Sequence, residues 1–430
     1  MENDSQMLFK ESTIARKNKS NYNKFLKLKQ LAKNKIKHVN INTDTLIKDK
    51  IVKNDINHNE QKGNNQTIKK IRNPGIDTVR IIAMYAIISH HFLFDGQGSK
   101  YYPKYKRQIT LWHILMDWHN DGFILLSGVV GYKSNKYSNL LYLWITTFFY
   151  SVGIHKYVTH YKKTFHINQE MYKEYFPIVF ERYWYFTAYF GMKLFTPVIN
   201  KGIAYLTKKE FRLVVLSTLV IIIFWRDFKN PKEDIFKINR GMSMVWHIIY
   251  YLTGAYIGKY HVDYSGIKKY IYCLICIFTY AIPSYLYFKI SQNEFSLGKK
   301  QYQIEIENII KRMLNDRLDS FLRIVQSISV ILFFMQIHYY KYIAKVICFI
   351  GPLVFGVYLT HNHKVIKENI SKRFFVHLDK KLSLNAFFNL LLLRALKMFV
   401  CCITIDYLRH LSFTLLRIRK ILIVLENKLM

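Results

Sequence analysis

The chain has 430 residues, with 64 Lys and Arg against 28 Asp and Glu, a formal net charge of +36, and 51% hydrophobic residues. Its apolar residues gather into about ten blocks of near-spanning length between Lys-rich loops, which excludes an ordinary soluble multidomain protein and predicts an all-α polytopic membrane protein. The lysines are spread over nearly every loop rather than along one helix face, so the charge points to anionic lipid headgroups and a polyanionic ligand and away from nucleic acid.

Residues 1–72 are rich in Lys and Asn, lack sustained periodicity and contain no apolar run long enough for a signal sequence; they predict a disordered basic tail on the cytoplasmic side, with at most a short helix over 22–37. Asn73-Pro74-Gly75 is a turn signal that hands over to a first span at 76–94. Further spans are predicted at 111–132, 140–158, 177–199, 213–225, 242–257, 270–288, 321–337, 343–360 and 386–408, the fifth being short for a full crossing. Lys and Arg fall on both sides of this topology, so they orient it only weakly. Residues 409–430 mix Arg409, Arg417, Arg419 and Lys420 with Leu, Ile, Phe and Val, the pattern of an amphipathic helix lying in the interface. The five cysteines match no disulfide, zinc or redox spacing and read as buried small residues.

The first span is the informative one, because it carries Asp77, Arg80, His90 and His91 at membrane depth, where ionisable groups are expensive and are functional candidates by default. The eleven-residue step from Arg80 to His91 returns to within about 20° of the same helix face, with a rise of roughly 16 Å. Asp77 shares that stripe, and His90 looks a quarter turn away. Burial favours the neutral imidazole, which makes His91 a candidate general base. Arg80 lies too far from His91 for direct contact and suits a phosphate or pantetheine contact, with Asp77 in the opening helix turn and able to hold its guanidinium. The second span adds Asp121, a further acid at depth, which could orient an imidazole if the first two spans pack together.

The pattern Asp-x-x-Arg followed by ten residues and His, then Asp-x-Phe-x-x-x-Ser-Gly at Asp121–Gly128, resembles the acyltransferase 3 family of integral-membrane acyltransferases. Tyr183-Trp184-Tyr185, the stretch from Tyr250 to Gly258, and Phe355-Gly-Val-Tyr-Leu-Thr-His361 extend the likeness in order over residues 72–410. The resemblance implies a bundle of roughly ten helices that transfers an acyl group, often acetyl, from cytoplasmic acyl-CoA to a hydroxyl or amine of a carbohydrate-type acceptor. It carries an essential role onto Arg80 and His91. Many members have an Arg-rich stretch after the second span, where this chain offers Lys133 and Lys136, point charges in place of bidentate forks, as candidate donor contacts.

Competing readings attach to each residue. Buried acid, base and arginine also describe a proton-coupled carrier, although internal repeats and paired broken helices are not evident, and a catalytically silent homologue binding lipid or glycan is a third possibility. Glu181-Arg182 before Tyr-Trp-Tyr reads first as a charge pair beside an interfacial aromatic belt. His361-Asn-His363 reads as an interfacial pair, since residues two apart on a helix do not face together. His155, His160 and His166 lack ligand spacing, and no metal site is predicted.

Overall fold

A computed structural model describes residues 72–161, 171–228, 234, 236–260, 268–293, 321–376 and 378–429. Residues 1–71 of the predicted basic tail, and His166, lie outside the described residues. Within them the chain is helical without strands, as the block pattern predicts. The helices used below are α1 (Pro74–Asp95), α2 (Lys106–Met116), α3 (His119–Gly131), α4 (Tyr137–Tyr161), α5 (Met171–Tyr175), α6 (Trp184–Tyr205), α7 (Lys208–Phe228), α8 (Met244–Tyr260), α9 (Lys268–Asn293), α10 (Phe321–Phe334), α11 (Lys341–Ile350), α12 (Val354–His361), α13 (Leu384–Leu415) and α14 (Ile418–Leu429). Four stretches of the described residues are long and apolar enough to cross a membrane: Pro74–Asp95, Tyr270–Lys289, Lys341–His361 and Leu384–Leu415. Apolar side chains such as Leu274, Ile275, Ile277 and Phe278 on α9 point outward, as they do where the solvent is lipid.

Three predicted spans take another form. The run 111–132 is two helices, broken at Asp117-Trp118, although neither Gly nor Pro stands there. A continuous helix would pair the Ile114 carbonyl with the Trp118 N–H; that carbonyl accepts instead from Arg323 Nη1 at 2.8 Å and Gln326 Nε2 at 3.1 Å, so α10 satisfies the break. The run 343–360 is interrupted by a 3-10 turn at Gly351–Leu353, and the fourth begins only at Trp184. At the C-terminus α13 continues to Leu415, so Arg409 belongs to it, buried and paired with Asp406; the amphipathic helix α14 starts after Arg417, whose φ is 52°. Of the five cysteines Cys402 is buried, Cys401 is exposed and the others are half-buried, which corrects their reading as uniformly buried.

Two apolar cores meet along α1. One gathers α3, α6, α7, α8 and α10 around Trp246, Tyr250, Tyr251 and Leu125; the other joins α1 to α12 and α13 around Ile88, Phe92, Val357 and Leu391. The closest seam is α3 against α8, where a Cβ on Gly128 would run into the Tyr251 carbonyl oxygen and one on Gly254 into that of Leu125. Small residues allow this backbone approach, and it fixes the depth of Asp121, whose Oδ1 accepts from Trp246 Nε1 at 3.1 Å.

Candidate active site

α1 opens on the Asn73 cap, whose side chain accepts from the Gly75 N–H at 2.8 Å, and runs without interruption to Asp95. Near its start Asp77 is fully buried. Its carboxylate accepts from Arg80 Nη1 at 2.7 Å and from Arg72, whose Nη2 stands 2.7 Å away. Asp77 thus holds Arg80 as the spacing predicted.

At the far end His91 Nδ1 lies 2.6 Å from Asp95 Oδ2, and Lys367 Nζ lies 3.1 Å from the same oxygen. A carboxylate can only accept, so Nδ1 carries the proton and Nε2 the lone pair. The carboxylate that orients this imidazole is therefore Asp95, four residues on, while Asp121 is bonded to Trp246. The His361 ring lies 5.5 Å from that of His91, tilted by 54°, its Nδ1 fixed on the Val357 carbonyl oxygen at 2.7 Å and its buried Nε2 without a hydrogen bond.

A cavity of about 250 Å³ opens beside Arg80 and extends along α1 as far as Ile87, one turn short of His91. On α1 it is lined by Arg80, Met84 and Ile87, a stripe whose next position is His91. Asn120, Phe123 and Ser127 of α3, Tyr185 and Tyr189 of α6, and Tyr358 of α12 form the other walls. Tyr358 in turn packs on His361, 6.3 Å between rings, and so leads to His91. The Tyr185 hydroxyl is buried without a hydrogen-bond partner in the protein. A second, smaller cavity shares the Leu143 and Tyr189 walls and is lined by Lys136 and Lys193. α3 runs antiparallel to α1, since its first residue His119 lies 5.5 Å ring to ring from His90, so Lys133 and Lys136 follow its end on the Arg80 side of the bundle. Lys133 is exposed, its ammonium 5.5 Å from the Tyr132 ring centre. Lys193, which the sequence reading passed over, lies on α6 with its ammonium over Tyr189 and Tyr251.

His90 faces elsewhere. Its Nδ1 is 3.0 Å from Asp117 Oδ1 and 3.2 Å from His113 Nδ1, while Arg323 Nη2 donates to Asp117 Oδ2 at 2.9 Å. Asp117 was invisible as long as 111–132 read as one helix.

Two interfacial readings are corrected. Tyr183 is 1% exposed and Arg182 pairs with Glu174 at 2.6 Å, so Tyr183 packs inside and the charge pair is not Glu181–Arg182, while Glu181 stays exposed and Trp184 and Tyr185 half-buried. His361 and His363 are buried as well and diverge: His363 Nε2 approaches the Ser151 carbonyl oxygen at 3.2 Å and Glu174 Oε2 at 3.6 Å. Glu174, in the connection between α4 and α6, also accepts from Ser151 Oγ at 2.6 Å, and His155 Nδ1 lies 3.8 Å away. Burial pushes its carboxyl upward, but His363, Ser151 and Arg182 outweigh burial and hold it below its ordinary value. His160 remains exposed.

Comparison with curated proteins and with solved structures gave no match. The acyltransferase 3 model, described as an acyltransferase domain, matches residues 73–407, from the cap of α1 into α13. That stretch contains the Arg80–His91 stripe, its cavity and both carboxylates. The chain belongs to the acyltransferase 3 family, a family of membrane acyltransferases.

Proposed function

We propose that the chain moves an acyl group, acetyl in the simplest case, from acyl-CoA to a hydroxyl or amine of a carbohydrate-type acceptor, with His91 as general base. The observation that carries this reading is the imidazole held by Asp95 in the tautomer a base needs, one turn beyond the Arg80–Met84–Ile87 stripe that lines the cavity.

The donor's phosphates are expected at the Arg80 end, near Lys133, Lys136 and Lys193, with the pantetheine thioester reaching along the stripe. Arg80 spends one donor on Asp77 and presents the rest of its fork to the cavity. The acceptor hydroxyl approaches His91 Nε2. Its O–H bond breaks as its oxygen bonds to the thioester carbon, and the proton passes to Nε2. When the tetrahedral intermediate collapses, the C–S bond breaks, the electron pair leaves with sulfur, and the imidazolium returns the proton to the thiolate. Asp95 stabilises that transient imidazolium, and Lys367 keeps Asp95 ionised and in place. The Tyr185 hydroxyl is a donor available in the cavity wall for a carbonyl oxygen.

The test is CoA release from acetyl-CoA by purified protein supplied with a carbohydrate extract of its own source. His91→Ala is compared with the exposed-histidine control His160→Ala. Loss of turnover by about 10²–10⁴ in His91→Ala alone is expected of a general base. A folded His91→Ala protein with full turnover, or no turnover in wild type across several acyl donors, overturns the reading.

A further inference from the structure

Among the described residues one group of side chains converges three metal-competent atoms: His90, Asp117 and His119 each offer one, all within 4.8 Å of one another. From the geometry we infer that this cluster, with His113 as fourth ligand, is a binding site for a divalent transition-metal ion of the zinc type, although no linear spacing predicts one. The inference is independent of the acyl-transfer reading.

The separations are those of a coordination shell. His90 Nδ1 is 3.0 Å from Asp117 Oδ1 and 3.2 Å from His113 Nδ1; His113 Nδ1 is 3.7 Å and His119 Nε2 4.0 Å from Asp117 Oδ1. A tetrahedral ion with bonds of about 2.0 Å needs ligand atoms roughly 3.3 Å apart. The three edges among His90, Asp117 and His113 bracket that value, and His119 is the outlying ligand, its ligand atom within 4.8 Å of those of His90 and Asp117.

Protons alone serve these atoms poorly. One imidazole nitrogen, His113 Nδ1 at 3.2 Å, and one carboxylate oxygen, Asp117 Oδ1 at 3.0 Å, compete for a single N–H on His90 Nδ1. An ion at the centre would take the lone pairs of all of them without a proton. His119 is the second, separate observation. It is 2% exposed, neither ring nitrogen has a hydrogen-bond partner, and Nε2 points at Asp117 Oδ1. Buried polar atoms left so are rare and call for an explanation, of which a metal is one.

Arg323 does not disqualify the site, because it engages the other oxygen. Its Nη2 donates to Asp117 Oδ2 at 2.9 Å and leaves Oδ1 for the ion, the outer hydrogen bond that ligating carboxylates ordinarily receive. Three imidazoles and one carboxylate favour zinc over magnesium or calcium, which prefer oxygen donors. The chain break gives the site its purpose. His90 comes from α1, His113 from α2, Asp117 from the turn and His119 from the first residue of α3, so one ion would tie three elements together beside His91, whose ring is 6.0 Å from that of His90.

The experiment uses the full chain in detergent, stripped with chelator and then titrated with Zn²⁺ and, separately, with Co²⁺. Wild type is expected to take up about one zinc per chain and to unfold at higher temperature with it. Co²⁺ is expected to give the visible absorption of a tetrahedral nitrogen-rich site. His119→Gln and His90→Gln should lose stoichiometric uptake and the cobalt band, while His160→Ala keeps both. Wild-type protein that is folded yet binds neither ion, or a His119→Gln protein that binds zinc as tightly as wild type, overturns the assignment. Should the substituted chains fail to fold, the wild-type cobalt spectrum still decides, since an octahedral or absent band refutes a site of three imidazoles and one carboxylate.

Discussion

Asp95→Asn separates the two carboxylates that could serve His91. In the folded chain Asp95 Oδ2 accepts the hydrogen bond from the His91 Nδ1–H at 2.6 Å and can only accept, because a carboxylate has no hydrogen to give. The amide is isosteric but can present its NH₂ to Nδ1, which moves the ring proton to Nε2 and removes the lone pair that must meet the acceptor hydroxyl. It also removes the charge that offsets the imidazolium formed during attack and the anion that anchors Lys367. In a serine hydrolase triad the same change of carboxylate to amide lowers turnover about 10⁴-fold. Here Lys367 also answers the Asp95 charge, so a loss of about 10²–10⁴ is expected, equivalent to roughly 3–5 kcal/mol of barrier. The assay is steady-state CoA release with acetyl-CoA and acceptor varied separately. The loss should appear in kcat with KM for acetyl-CoA little changed, since Asp95 is at the opposite end of α1 from the proposed donor contacts. Asp121→Asn, made in parallel, acts on the Trp246 hydrogen bond and should lower thermal stability more than turnover. Wild-type kcat in Asp95→Asn together with its loss in folded Asp121→Asn would refute the assignment of Asp95 and restore Asp121 as the orienting acid.

The remaining expectations concern the donor end, the helix seam and acid stability. Arg80→Ala should raise KM for acetyl-CoA about tenfold or more, in keeping with roughly 1.5–3 kcal/mol for a hydrogen bond to a charged group, and Arg80→Lys should recover only part of it; an unchanged KM would remove Arg80 from the donor site. Gly254→Ala places a methyl on the Leu125 carbonyl and should destabilise by about 1–3 kcal/mol in denaturation, whereas Gly153→Ala, with nothing within 4 Å of its Cβ, should be neutral or slightly stabilising. Glu174 is held below its ordinary value in the folded chain, so its contribution is present above the unfolded carboxyl range and lost as pH falls through the lower folded value. Thermal unfolding followed from pH 6 downward should therefore show an acid limb that Glu174→Gln flattens, and an identical limb in the variant would exclude Glu174 as its source.

What the sequence made legible is what rests on helical period within one uninterrupted element. Arg80 and His91 share a stripe because α1 is continuous from Pro74 to Asp95, and the cavity follows that stripe. Asp77 was legible for the same reason, three residues before its partner. Asp95 was within reach of the same rule, four residues beyond His91, but the apolar run was read as ending at Phe94. Asp117 was out of reach. Nothing local breaks the helix at Met116-Asp117-Trp118; the break is satisfied by Arg323, 206 residues further along. The inward packing of Tyr183, His361 and His363 failed similarly, because an aromatic or imidazole at the end of an apolar run reads as interfacial until the partner that buries it, here Glu174 or the His91 ring, is known.

The two ends of α1 use one electrostatic device. At each end a functional cation or base must be held by a carboxylate, and a buried carboxylate is costly unless its charge is answered. If the functional group had to answer it alone, the pairing would consume the donors needed for a ligand. Both ends supply a helper. Arg72 takes part of the Asp77 charge, so Arg80 gives Asp77 only its Nη1 and keeps the rest of its fork for the cavity. Lys367 takes part of the Asp95 charge, so His91 is oriented through Nδ1 without having to be an imidazolium. The helpers come from outside α1: Arg72 precedes its cap and Lys367 follows α12. The spacing of Arg80 and His91 is thus fixed by the helix, and their readiness to act is fixed by segments that pack on it, which is why a span carrying five acidic and basic side chains can be both stable in lipid and open to a ligand.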